Sequence, residues 1–266
     1  MAALSTATAA TAATAAPAFL SCIDHIEEGL AGDGYAVLNH AFGAQLSDDC
    51  RAEIETMHQN KLLRKATIQS GIQSTASTSR SDLHTFLSSD SDATEAEKYP
   101  NLHALRAWLQ ELRVQLASCI ERLEGVRADR ASFMCAKYPA HTAGYLRHRD
   151  AKPEIGGRKL TCLCYFNNDW AAEHGGQLRI WPQGSDDSIS FVDIDPIGGR
   201  MVVFRSSLWH QVFPTEDRDR YALTAWLTNH ISLAAEIIEE EREQLKQKLL
   251  RKAAAFLMLK RKMMNR

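Results

Sequence analysis

Three residues of this 266-residue chain could share a metal ion. His148 and Asp150 stand two apart in GYLRHRD, a segment that reads as a strand. On a strand, residues two apart face the same side and lie about 6.6–6.8 Å apart. An imidazole and a carboxylate so placed can converge on one ion that each binds at about 2 Å. The spacing alone is weak, since ten His and sixteen Asp make one such pair close to what chance provides. It gains meaning from His210, which opens HQVFP after the apolar run RMVVFR and a short turn. Two imidazoles and one carboxylate on one side of an ion leave its other positions open, which suits ferrous iron and oxygen activation. Taken singly, His148 reads better as a partly buried histidine and His210 as a loop cap.

Ten residues after His210, Arg220 opens RYALTAWL. Strand alternation puts Tyr221, Leu223, Ala225 and Leu227 on one apolar face, and Arg220, Ala222, Thr224 and Trp226 on the other. An arginine facing the inside of a barrel must be paired, because an unpaired buried charge is prohibitively costly. No acid of the same strand faces its way. A bound carboxylate held by the guanidinium fork would serve, and so would a structural salt bridge to an acid elsewhere in the chain.

These residues lie in the part of the chain after Gly125, where short segments rich in β-formers alternate with Gly, Pro and Asn. The segments are ASFMCAKY, GYLRHRD, KLTCLCYFN, QLRIWP, SISFVDI, RMVVFR, HQVF and RYALTAWL. Eight strands at this spacing predict a barrel or a two-sheet jelly roll. Ahead of them, residues 18–31 carry helical spacing that Gly32 and Gly34 stop. GYAVLNHAF reads as a strand, and SDDCRAEIETMHQNKLLRKA as a helix with Ser47 as N-cap. From Ile68 to about Glu97 the chain is rich in Ser, Thr and Asp and reads as a long loop. NLHALRAWLQELRVQLASCIERLEG reads as one amphipathic helix. Residues 231–266 read as a C-terminal amphipathic helix ending in the basic LKRKMMNR. The Ala- and Thr-rich residues 1–17 read as a disordered tail, with neither the basic start nor the apolar stretch of a secretory signal.

Composition narrows the class. Hydrophobic residues make up 45% and charged residues 24%, ordinary for a globular domain. A net charge of -2 and a pI near 6.6 supply no global basic field, so generic attraction to nucleic acid or membranes is not indicated. No apolar run reaches 18 residues. The six cysteines form no CxxC pair and read as buried free thiols in a reducing compartment. Cys162 and Cys164 point into one layer by alternation, and a soft thiolate metal site is the minor alternative.

The ordered stretch YPAHTAGYLRHRD, RKLTCLCYFNNDW, GGQLRIWP, HQVFP, RYALTAW resembles the catalytic domain of the oxygen-sensing prolyl 4-hydroxylases, which act on the hypoxia-inducible factor in animals. The likeness runs from about Phe133 to Trp226 and is fainter from Gly34 onward. It implies a mainly β fold with flanking helices: a double-stranded β-helix, or jelly roll, supported by N-terminal helices. It also implies a dioxygenase domain over residues 18–230, with its catalytic core at 131–230. By the same resemblance His148, Asp150 and His210 bind Fe(II), and Arg220 binds the far carboxylate of 2-oxoglutarate. Tyr165 also contacts that carboxylate, and Tyr138 lies beside the cosubstrate. Read from the residues alone, the two tyrosines are amphipathic wall residues. Arg158 matches an arginine near the peptide-binding face. The segment Arg80-Ser81-Asp82-Leu83 falls where the family has a mobile loop over the substrate.

The resemblance further implies O2 as the second cosubstrate and ascorbate to keep the iron reduced. The expected partner is a protein bearing a target proline, with no nucleic acid and no membrane. The expected form is a monomer in the cytoplasm, the nucleus or both, acting in the response to hypoxia. Collagen-type prolyl hydroxylases carry Lys where this chain has Arg220, which favours the oxygen-sensing branch. Two alternatives stay open. One is an oxygenase of the same fold acting on a nucleobase or small molecule, and the other is a non-catalytic binding module that keeps the barrel.

Overall fold

The structure, a computed structural model, describes residues 16–65, 67–70, 73–76, 80–88, 93–151, 157–183 and 190–229. The expected C-terminal helix at 231–266 and all but the last two residues of the expected tail lie outside them. In chain order the elements are α1 (Ala16–Ala31), β1 (Tyr35–Leu38), α2 (Ala44–Gln59), β2 (Arg64–Lys65), β3 (Thr67–Ser70), β4 (Gln73–Ala76) and β5 (Leu83–Phe86). Then come α3 (Ala93–Lys98), α4 (Pro100–Gln115), α5 (Ala117–Glu124), β6 (Arg130–Tyr138), β7 (Tyr145–His148) and β8 (Arg158–Tyr165). The chain continues through β9 (Leu178–Ile180), β10 (Val192–Ile194), β11 (Met201–Arg205), β12 (His210–Val212) and β13 (Arg220–Thr228).

The last eight strands deal themselves between two antiparallel sheets. The larger is ordered β1-β11-β8-β13-β6-β5-β2 and the smaller β10-β9-β12-β7. This is the jelly roll that the strand spacing predicts. Alternation on the central strands builds two separate cores. One lies between the larger sheet and the helices: Leu223 and Leu227 of β13, with Cys135, Cys162 and Cys164, pack against Ile26, Ile54, Leu105 and Leu109. The other lies between the sheets and holds Met134, Leu163, Leu178, Ile180, Phe204 and Val212. The split face predicted for RYALTAWL is the one observed. Cys162 and Cys164 share the helix-side layer, and all six cysteines are free. Among the described residues no helix is long and apolar enough to cross a membrane.

Four expectations are corrected. The stretch expected to be a long loop contains the β3–β4 hairpin, β5 and α3. β5 pairs with β6 from Leu83↔Lys137 to Phe86↔Met134 and so extends the larger sheet. Its sequence LHTF shows little apolar alternation because His84 and Phe86 line a cavity rather than a core. The single helix expected after Asn101 is two, α4 and α5, interrupted at the fully buried Leu116, and apolar spacing does not register a one-residue break. Ser47 is no N-cap. α2 starts at Ala44 after an extended Gly43, and Ser47 is buried within the helix against Gly198, where an added Cβ would come within 2.9 Å of its Oγ. Finally, GYLRHRD is a strand only to His148, and Asp150 stands just beyond it.

Candidate active site

β7 and β12 lie side by side, and His148 is the direct cross-strand partner of His210. Their ring centroids are 4.1 Å apart. The turn after β7 brings the Asp150 carboxylate to 3.8 Å from His148 Nε2 and 3.7 Å from His210 Nε2. One donor atom from each of the three residues lies within 4.8 Å of the other two, close enough for a single ion to bridge them. Expected from strand alternation, the triad is instead completed by the bend just beyond the strand.

Each ligand is held from behind. His148 Nδ1 lies 2.7 Å from the Leu146 carbonyl and His210 Nδ1 3.0 Å from that of Leu208. A carbonyl only accepts, so both Nδ1 atoms donate, and neutral rings keep the lone pair on Nε2. Asp150 Oδ2 accepts hydrogen bonds from Thr161 Oγ1 at 2.7 Å and Trp226 Nε1 at 2.9 Å. Tyr145 stacks on His148 at 3.5 Å between centroids, and Phe204 meets His210 edge-on. Burial, and next to it His210, pushes His148 down to about 3, so its ring is neutral at ordinary pH. Burial works against ionisation of Asp150, but His210, Arg158 and His148 outweigh it and hold the carboxyl below its usual range. A neutral His148 and an ionised Asp150 are protonation states that a divalent metal needs of its ligands.

The opposite end of the cavity is built around Arg220, which is 2% exposed. β13 pairs on one side with β6, setting Arg220 opposite Tyr138, and on the other with β8, setting Ala222 opposite Tyr165. The guanidinium carbon lies 5.1 Å from the Tyr138 ring centroid and 4.9 Å from that of Tyr165. Arg220 Nε donates to the Gly176 carbonyl at 2.9 Å. Gly176 must be glycine: its φ is +66°, and a Cβ there would meet Arg220 Cδ at 2.9 Å. Among the described residues no carboxylate pairs with Arg220, which removes the salt-bridge alternative there. Its Nη2 and the Tyr165 hydroxyl are both buried without a hydrogen-bond partner. Burial raises the Tyr165 hydroxyl to about 12 despite the opposing pull of Arg220, so it remains a proton donor. Two orphaned donors, one cationic, are what an incoming carboxylate would satisfy.

A cavity of about 140 Å³ joins the two ends. Met134, Leu163, Leu178, Phe204 and Val212 supply its apolar wall. At the mouth, Arg158 lies 4.0 Å over the Trp226 ring, and the half-exposed Phe86 packs against the same indole. Arg80 forms a two-pronged ion pair with Asp82 at 2.7 and 2.6 Å and covers the Tyr145 ring at 4.6 Å. Read from the sequence as part of a mobile cover, Asp82 is fully buried behind Arg80 and His84, which line the cavity. Sequence reasoning did not identify Thr161, Tyr145 or Phe204 as parts of the site. Thr161 could have been found, since a hydroxyl among the apolar residues of KLTCLCY needs a partner. Tyr145 carries no such signal, because an irregular register between β7 and β12 turns it toward His148.

Comparison with known proteins agrees with this geometry. The family model of the 2OG-Fe(II) oxygenase superfamily matches residues 133–228. The chain is 30% identical to prolyl hydroxylase EGLN3 of Mus musculus over 211 residues, covering 77% of this chain and 82% of that protein. It is 28% identical to Egl nine homolog 1 of Rattus norvegicus over 214 residues, covering 79% of this chain and 60% of the relative's length. Among solved structures, the fold matches a prolyl hydroxylase from Trichoplax adhaerens in complex with a hypoxia inducible factor oxygen degradation domain peptide fragment. That match has a TM-score of 0.70 at 24% identity and covers 84% of this chain and 96% of the other. The chain belongs to the prolyl hydroxylase family that includes mouse EGLN3, within the 2OG-Fe(II) oxygenase superfamily.

Proposed function

We propose that the protein hydroxylates a proline residue of a protein substrate, using Fe(II) at His148, Asp150 and His210 and 2-oxoglutarate at Arg220 and Tyr165. The observation that carries this reading is the cavity's pairing of a His-Asp-His cluster with two buried, unpartnered donors. When bound, ferrous iron and 2-oxoglutarate supply the oxygen chemistry, in which O2 is consumed, succinate and CO2 form, and one oxygen atom enters the proline C–H bond.

The chain's own part is binding and orientation. The carbonyls of Leu146 and Leu208 fix the imidazole rings so that Nε2 is free to ligate. Thr161 and Trp226 anchor Oδ2 of Asp150. Arg220 Nη2 and Tyr165 Oη donate to the far carboxylate, with Tyr138 as the adjoining wall. Apolar side chains between the two ends keep water from the cosubstrate. Arg158, beside Trp226 and Phe86, receives the peptide at the mouth. The relatives' names support a role in the response to hypoxia, as with a hypoxia-inducible factor prolyl hydroxylase of Caenorhabditis elegans. Six free thiols fit a cytoplasmic or nuclear setting, with ascorbate keeping the iron reduced.

Incubation of proline-containing peptides with enzyme, iron, 2-oxoglutarate and ascorbate is expected to yield succinate and a +16 product at proline, read by mass spectrometry. His148→Ala or Asp150→Ala is expected to abolish both. Undiminished turnover by either variant refutes the ligand assignment. Turnover of alkylated oligonucleotides but not peptides would favour the nucleobase alternative.

A further inference from the structure

The face of β13 turned away from the cavity carries a charge cluster, none of whose members lines the cavity. Cross-strand pairing sets Tyr221 opposite Lys137, one step from the Arg220–Tyr138 pair. Alternation therefore sends Arg220 and Tyr138 into the cavity, and Tyr221 and Lys137 toward α2. Lys137 is 5% exposed, a costly place for an ammonium. Its Nζ donates to Glu55 Oε2 at 2.7 Å and lies 3.0 Å from Asp219 Oδ2 and 3.2 Å from His58 Nδ1. Tyr221 Oη donates to the same Glu55 oxygen at 2.7 Å and lies 3.2 Å from Asp219 Oδ2. Asp219 Oδ1 accepts from the Ala140 backbone N–H at 2.8 Å, tying the end of β6 to the start of β13.

The two residues that flank Arg220 are thus both fastened through Lys137 and Glu55 to one helix. We propose that Lys137, Glu55, Asp219 and Tyr221 form a positioning cluster that sets the place of the Arg220 guanidinium, and through it the affinity for the far carboxylate of 2-oxoglutarate. The inference rests on the assignment of Arg220 to that carboxylate. Lys137 is buried but its carboxylate partners are partly exposed, and such ion pairs contribute little net stability; holding an arginine fork in register is a use that this arrangement fits. Burial works against ionisation of Glu55, yet the bonds from Lys137 and Tyr221 hold its carboxyl down at about 2, so the cluster stays charged at neutral pH. Misplacing a guanidinium fork leaves the charge pair with the incoming carboxylate imperfect, which costs affinity.

The test measures Kd by calorimetry on the full chain with manganese(II) in place of iron, beside KM and kcat of the iron enzyme. Two ligands are compared: 2-oxoglutarate, and pyruvate, which keeps the 2-oxo acid end but lacks the far carboxylate. Lys137→Met and Asp219→Asn are expected to raise Kd and KM for 2-oxoglutarate about tenfold. In both variants kcat at saturating cosubstrate stays within about twofold and pyruvate affinity is unchanged. Tyr221→Phe, which keeps the ring, is expected to have a smaller effect in the same direction and decides the matter if Lys137→Met does not fold. Equal weakening of both ligands would mark the cluster as general support of the fold and overturn the proposal. So would an unchanged Kd for 2-oxoglutarate in these variants while Arg220→Met loses it. If Arg220→Met itself keeps its affinity, the assignment of Arg220 falls first.

Discussion

At the metal end of the cavity, the polar atoms behind the ligands are satisfied before anything binds. Both histidine Nδ1 atoms have carbonyl partners, and Asp150 Oδ2 has two donors. At the cosubstrate end, Arg220 Nη2 and the Tyr165 hydroxyl are buried with no partner. A metal centre tolerates little misorientation, so its supporting shell is preformed. A carboxylate site gains affinity when the incoming anion relieves an unmet need, so its donors are left unmet. The two ends should therefore answer mutation differently, one losing support that already exists and the other losing mainly what a ligand would bring.

Asp150→Ala attacks the preformed end and has the largest expected effect. It removes one ligand, orphans the Trp226 indole N–H and leaves the Thr161 hydroxyl only its 2.9 Å bond with Ser206 Oγ. Metal affinity should fall by more than about 100-fold, beyond the range of supporting-residue losses, and the metal-free melting temperature should fall as well. Equilibrium dialysis and calorimetric melting measure the two. A variant that binds metal normally would break the comparison at its stronger side.

Arg220→Met attacks the unmet end. Cosubstrate affinity should drop by roughly 30-fold to 5,000-fold, the cost of truncating one partner of a buried charge pair. The metal-free, ligand-free melting temperature should change little, because loss of the Nε bond to the Gly176 carbonyl is offset by removal of a buried charge that has no anionic partner among the described residues. Wild type should show a rise in melting temperature with 2-oxoglutarate that the variant lacks. A variant that loses stability without ligand would show that Arg220 is a structural residue first.

The same contrast explains what could be read from sequence. His148, His210 and Arg220 were legible because strand alternation fixes which side chains share a face, and the face of RYALTAWL is the observed one. Asp150 was found for a partly wrong reason: the strand ends at His148, and a turn rather than a pleat delivers the carboxylate. Tyr145 was not legible, since its place follows from an irregular register between β7 and β12 that no local pattern announces. β5 was missed because a strand facing a polar cavity lacks the apolar alternation by which strands are recognised. Orphaned donors belong to a third kind of knowledge, because only coordinates show that a polar atom has no partner.

Trp226→Phe sharpens the comparison within the preformed end. It keeps an aromatic ring beneath Phe86 and Arg158 but deletes one of two donors to Asp150 Oδ2. Loss of such a supporting bond typically costs about 10–100-fold in metal affinity. Iron titration should show that loss, and 2-oxoglutarate affinity at saturating metal should change far less. Equal losses in both would mean that the two ends are not separately supported.

Asp82 gives the smallest effect and the cleanest separation of stability from chemistry. Its carboxylate is fully buried, paired with Arg80 and 3.3 Å from the His84 ring nitrogen. Burial alone would raise its pKa, but His84 and Arg80 outweigh burial and bring it from 3.8 to about 2. A folded-state pKa below the unfolded value means stability that is present above the unfolded pKa and lost as pH falls through the folded one. The shift corresponds to about 2 kcal/mol at neutral pH. Asp82→Asn should therefore be less stable than wild type by about that much at pH 7, and the gap should shrink to less than half between about pH 5 and pH 2.5. Urea unfolding at a series of pH values measures the gap. A gap that stays constant with pH would show that Asp82 acts through packing and not through its charge. Metal affinity at pH 7 should be unchanged, because the Asp82 carboxylate pairs with Arg80 and His84 and not with a metal ligand.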